Sequence, residues 1–161
     1  MFGFEVKTES KAALYHDLFG AIDAITADES DAIANMANVA ALIWEYLPDI
    51  NWVGFYRMID GTLVLGPFQG KAACIRIAVG QGVCGAAASS MTTQRIDDVH
   101  DFPGHIACDV ASASELVVPV LHNGRLLAVL DIDSPLRARF DSDDQAGCEA
   151  IIALLGPRLA G

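Results

Sequence analysis

The sequence carries little positive charge, with 10 Lys and Arg against 21 Asp and Glu, and its net charge of −11 repels phosphate backbones and anionic lipid surfaces. Nucleic acid and membrane surfaces are therefore not expected as partners. It also lacks a long apolar run: stretches such as residues 38–47 and 107–120 are too short, or too interrupted by charge, to span a bilayer. The opening residues MFGFEVK show no basic region followed by an apolar segment, so they do not read as a secretory signal. The expected compartment is the cytoplasm. There is no Cys-x-x-Cys pair among Cys74, Cys84, Cys108 and Cys148, which removes the usual support for a zinc knuckle or a thioredoxin-type motif. Structural disulfides are rare in a reducing compartment, so each cysteine needs its own account.

The 161 residues, 53% hydrophobic, hold enough apolar material for one core, and no internal repeat or linker divides them. Leu14, Leu18, Ala21, Ile22 and Ile25 recur at helical spacing and predict an amphipathic helix over 10–26. A second helix follows, capped by Asp28 or Ser30, with Ile33, Met36, Ala37, Ala40, Ala41, Trp44 and Leu47 as its apolar stripe and Pro48 as its stop. Residues 52–58 and 62–67 read as strands joined by Ile59-Asp60-Gly61, whose Asp-Gly is a hairpin signal. A short strand over 74–78 leads through a Gly-rich entry into an Ala/Ser helix that starts near Cys84, and 94–96 is a further short strand. Residues 97–112 are irregular, 115–121 and 126–133 are the most apolar strands, and Asp141 opens a closing helix to about 159. This order predicts an α+β fold: a central antiparallel sheet over about 51–134, with the N-terminal helices (about 10–47) and the C-terminal helix (about 141–159) packed on one face.

Several residue types stand where chemistry rather than packing would put them. Glu115, Asp131 and Asp133 are carboxylates in or at the ends of apolar strands, where an unpaired charge is costly, so each needs a partner. Asp131 and Asp133, two apart, face the same side of their strand, and so do Trp52 and Tyr56, four apart. Cys84 near a helix N-terminus is expected to have a lowered pKa. Cys148, inside an apolar helix, reads as packing. His100, His105, Cys74 and Cys108 are ligand types that suit zinc, but their spacing resembles no common zinc arrangement, and no metal or cofactor is expected.

Six ordered blocks resemble the free methionine-(R)-sulfoxide reductase family, which is built on the GAF fold: NWVGFY from Asn51, LGPFQGKAAC from Leu65, GQGVCG from Gly80, DVHDFPGHIACD from Asp98, SELVVP from Ser114 and LDIDS from Leu130. The resemblance covers about half the chain densely and implies one GAF-like domain over 1–161. It implies reduction of free methionine (R)-sulfoxide to methionine, with thioredoxin as the final electron donor. By the same resemblance Cys108 is the nucleophile, Cys74 the resolving thiol and Cys84 a second or alternative one, while Glu115, Asp131 and Asp133 bind the substrate's ammonium group and one of them protonates the sulfoxide oxygen. Trp52 and Tyr56 would enclose the methyl-sulfur group. His105 and Asp109 flank Cys108, with His105 able to stabilise its thiolate. The apolar helices suit a homodimer.

This assignment carries a register condition. A two-residue Asn123-Gly124 loop pairs Asp131 with Leu116 and puts Glu115 on the opposite face. A three-residue loop, His122 to Gly124, pairs Glu115 with Asp131 and gathers the carboxylates, so that loop or an equivalent bulge is expected. The competing reading is a GAF-type module that senses a small ligand or redox state without chemistry; it has the same fold but no need for three pocket cysteines.

Overall fold

Ser10, at the start of the described chain, caps the first helix by accepting from the Ala13 N–H at 3.1 Å. The computed structural model describes residues 10–105 and 109–161; Cys108, the expected nucleophile, lies outside them. Helix α1 is Lys11–Thr26 and α2 is Ala32–Tyr46. The cap of α2 is Asp31, which accepts from the Ala34 N–H at 2.8 Å, rather than Asp28 or Ser30. Its buried side also departs from the expected stripe: Asn35, Met36, Val39, Ala40, Leu42, Ile43 and Tyr46 turn inward, whereas Ile33 and Trp44 are 46% and 41% exposed. The helix is apolar on most sides, so periodicity alone does not select the face that meets the sheet and α1.

The strands are β1 Trp52–Ile59, β2 Thr62–Gly70, β3 Arg76–Ala78, β4 Gln94–Ile96, β5 Ser114–His122 and β6 Arg125–Ser134. They form one antiparallel sheet in the order β3-β2-β1-β6-β5-β4. β3 begins two residues later than expected, leaving Cys74 in the loop before it. The β1–β2 turn uses Asp60 and Gly61, both at positive φ, as its Asp-Gly signal required. Helix α3, Gly82–Ser90, follows β3, and a short 3-10 helix, Val99–Asp101, interrupts the long loop after β4.

Alternation along the strands sends side chains to two cores. Val53, Phe55, Leu116, Val118, Leu130 and Ile132 meet α1, α2 and the closing helix α4, Ser142–Leu159. A fully buried Leu or Ile in this layer contributes about 1.5–3 kcal/mol. Trp52, Tyr56, Val117 and Val129 face the other way, toward α3. The terminal helices thus share one face of the sheet, and α3 covers the opposite one. Buried Asp144 ties α1 to α4: Lys11 Nζ lies 2.6 Å and Arg139 Nη1 3.3 Å from its Oδ2, and the Tyr15 hydroxyl donates to its Oδ1 at 2.8 Å. A buried carboxylate is tolerable with that many partners.

Candidate active site

The β5–β6 hairpin decides whether the three carboxylates meet. Its loop is the two-residue Asn123-Gly124, with both residues at positive φ, and not the three-residue loop. The register nevertheless shifts between Val120 and Leu121, because β6 carries Leu127 as an extra residue: Leu121 pairs with Leu126, but Val120 pairs with Ala128. This bulge restores the parity that the tight turn alone would have lost. Glu115 therefore pairs with Asp133, and Asp131 with Val117, in place of the expected Glu115–Asp131 pair. All three carboxylates stand on the α3 face.

A row runs across the sheet from Trp52 on β1 through Asp133 on β6 to Glu115 on β5. In the next row Asp131 is opposite Gly54, which presents no side chain. A Cβ on Gly54 would sit 2.4 Å from Cβ of Phe68 and 2.7 Å from the Trp52 ring, so glycine is what lets these aromatics close over the strand. Trp52 stacks on Phe68 at 5.3 Å and on Tyr56 at 5.9 Å between centroids, and its indole N–H donates to the Lys71 carbonyl at 3.0 Å. The expected shared face of Trp52 and Tyr56 is borne out.

The sheet face, the loop around Lys71 to Ala73 and the N-terminal turn of α3 enclose a pocket of about 550 Å³, counting its open mouth. Trp52, Tyr56, Cys84, Glu115, Asp131 and Asp133 all line it. Cys74 packs beside this cluster, is disulfide-bonded, and accepts the Tyr56 hydroxyl on its carbonyl at 3.0 Å. His105 lines the pocket too, with Nε2 3.7 Å from Glu115 Oε2, and burial lowers its pKa. His100 is elsewhere: it is exposed and bonded to Asp98 at 2.7 Å, so the His100–His105 metal grouping is not assembled.

Burial, then mutual repulsion, pushes the carboxyls of Glu115, Asp131 and Asp133 well above the usual carboxylate range. Asp131 Oδ1 is buried with no hydrogen-bond partner. Cys84 contradicts the expectation drawn from its helix N-terminus. Its thiol is buried, lies 4.0 Å from Glu115 Oε1, and is driven well above the ordinary thiol value first by burial and then by Asp131 and Glu115. The N-terminus of α3 is outweighed by the loss of water and by neighbouring acids.

Sequence reasoning passed over Asn51 and Ser112. The Asn51 amide donates to Asp109 Oδ2 at 3.4 Å and to Ser112 Oγ at 3.3 Å, tying the start of β1 to the loop that follows the undescribed residues. Asn51 lies inside the NWVGFY block, and an amide preceding an apolar strand was the available signal. Cys148 is the buried thiol expected of packing, 3.9 Å from the Tyr15 hydroxyl and pushed up to about 12 by burial.

A GAF domain model matches residues 22–159. The Escherichia coli free methionine-R-sulfoxide reductase is 50% identical over 151 residues, covering 94% of this chain and 92% of that protein. The Saccharomyces cerevisiae free methionine-R-sulfoxide reductase is 40% identical, covering 91% and 86%. The X-ray structure of the Neisseria meningitidis free methionine-R-sulfoxide reductase in complex with its substrate superposes with a TM-score of 0.96 at 41% identity, covering 99% of this chain and 96% of that one.

Proposed function

The chain belongs to the GAF domain family and, within it, to the free methionine-R-sulfoxide reductases, and we propose that its pocket performs their reaction with the residues named above. It reduces free methionine-R-sulfoxide to methionine. The observation that carries the residue roles is the gathering of Glu115, Asp131 and Asp133 on one pocket wall, beside an aromatic pair and a disulfide-bonded cysteine.

The carboxylates receive the substrate's ammonium group, for which the unpartnered Asp131 oxygen is one acceptor. Trp52 and Tyr56 take the methyl-sulfur end by apolar and sulfur–aromatic contact. The Cys108 thiolate attacks the sulfoxide sulfur, and a wall carboxyl, held protonated by burial and its neighbours, gives its proton to the oxygen. Methionine leaves, and the oxygen remains on Cys108 as a sulfenic acid. Attack by the Cys74 thiol then releases water and forms a Cys74–Cys108 disulfide, so two thiols supply the two electrons. Cys84, held protonated, attacks less readily and takes the auxiliary place.

Thioredoxin restores the dithiol through a mixed disulfide, which places the cycle in the reducing cytoplasm. Ile33 and Trp44, exposed on α2, are the apolar face we assign to a homodimer. The test incubates reduced protein with free and peptide-bound methionine sulfoxide of each epimer and follows methionine and thiols. We expect methionine from the free R epimer, with two thiols lost for each molecule formed. No methionine from any form overturns the assignment.

A further inference from the structure

The pocket wall holds more than an ammonium site needs. Cys84 Sγ, one oxygen of Glu115 and one of Asp131 all lie within 4.8 Å of one another, and all three residues are buried. Among the described residues no Lys or Arg forms an ion pair with any of them. Asp131 Oδ1, on a residue only 6% exposed, has no hydrogen-bond partner, and a buried carboxylate oxygen of that kind favours a cationic or donor ligand. A thiol beside two carboxylates differs from a general cation wall, because sulfur selects soft or borderline metals over sodium, magnesium or calcium.

We propose that Cys84, Glu115 and Asp131 form a binding site for one zinc ion, and that zinc and methionine sulfoxide exclude one another from the pocket. Three protein ligands with the fourth position open to the pocket is the pattern of an accessible zinc site. The spread of ligand atoms is slightly wider than a zinc tetrahedron, whose S···O and O···O edges are roughly 3.3–3.6 Å given zinc–ligand bonds of about 2.0–2.3 Å. Side-chain shifts of up to roughly an ångström close it. His105, 3.7 Å from the other Glu115 oxygen, serves as the outer partner that orients this ligand. A dication offsets two of the three negative charges it gathers, more than an ammonium group can. The metal's effect is inhibition: it occupies the carboxylates that the substrate requires. Metal binding rests on the geometry alone, and only the exclusion of substrate rests on the reductase reading.

The experiment uses the full chain in its oxidised form, so that Cys74 is held in its disulfide and cannot bind metal. Zinc is titrated against a chromophoric chelator, with and without methionine sulfoxide, in wild type, Cys84→Ser and Cys148→Ser. We expect one zinc per chain and weaker apparent binding as sulfoxide is added. Cys84→Ser should lose about 100-fold or more in affinity, at least the 10–100-fold typical of losing an outer-shell partner, and Cys148→Ser nothing. Cobalt in the unmodified protein should give an intense near-ultraviolet thiolate-to-metal band, a readout independent of any variant's folding. Absence of zinc binding, absence of that band, or zinc binding unaffected by Cys84→Ser overturns the site. If such a protein still reduces methionine sulfoxide, the reductase assignment stands and the zinc site alone has failed. Zinc bound at Cys84 together with sulfoxide, without competition, overturns the mutual exclusion.

Discussion

Replacing Asp131 with Asn should make the protein more stable and less active, with the stability gain growing as pH rises. Asp131 is buried beside Glu115, and its carboxyl is raised first by burial and then by that neighbour. A carboxyl whose folded pKa exceeds its unfolded value holds more protons when folded. Stability then falls as pH climbs from the ordinary carboxylate range through the folded pKa. Each pH unit over which one proton is kept only by the folded state costs about 1.4 kcal/mol. That cost grows with each pH unit up to the folded pKa, and Asp131→Asn removes it. For a chain of this size each ~1 kcal/mol of that cost corresponds to roughly 2–4 °C, so Tm should rise at pH 7 and change little near pH 4. The lowered pKa of His105 acts in the opposite sense, favouring stability as pH rises toward its ordinary value, but it is present in both proteins and cancels in the difference. In the proposed role the same substitution removes a charge-assisted contact to the ammonium group, of a kind worth about 1.5–3 kcal/mol, so kcat/KM should fall about 10- to 150-fold. Thermal unfolding of both proteins from pH 4 to 8 and steady-state kinetics at pH 7 check this. A stability difference that does not change with pH, or a variant destabilised at pH 7, refutes the reasoning.

Cys74→Ser should form one methionine per enzyme at the normal rate and then turn over slowly, because only the protonated Cys84 thiol is left to resolve the sulfenic acid; quenched single-turnover assays would show a burst followed by a slow phase. Gly147→Ala should cost about 1–3 kcal/mol by overpacking, since the new Cβ falls 2.3 Å from the Tyr15 ring, and urea unfolding measures it. Tyr15→Phe should cost a similar ~1–3 kcal/mol by leaving buried Asp144 without its hydroxyl donor, with kcat unchanged. Cys148, buried with its thiol pushed up to about 12, should resist alkylation in the native state at pH 8 and react only on unfolding, as mass spectrometry would report.

Most strand and helix positions were legible in the sequence because they follow from local chemistry. Asp60-Gly61 and Asn123-Gly124 punctuate hairpins through residues that accept positive φ, and the alternation in β5 and β6 sorts side chains into two faces. The inward side of α2 was not legible, since an apolar helix offers more than one credible stripe and the surroundings choose. The hairpin at Asn123 shows the same limit at the site itself. Its tight turn is local, but the bulge at Leu127, which keeps Glu115 on the side of Asp131 and Asp133, is set by pairing along the whole strand.

By itself the sequence held the residue types to which the family resemblance assigns the proposed roles: thiols for the electrons, carboxylates for an ammonium group and a proton, and aromatics for a methyl-sulfur group. It also determined that Asp131 and Asp133 share a face, because strand geometry has a period of two. Tertiary structure alone decided that Glu115 joins them and that Cys84 lies against all this acidity with its thiol protonated. The reason is electrostatic: a pKa depends on how much water is removed and which charges remain nearby, and both are properties of packing between distant segments.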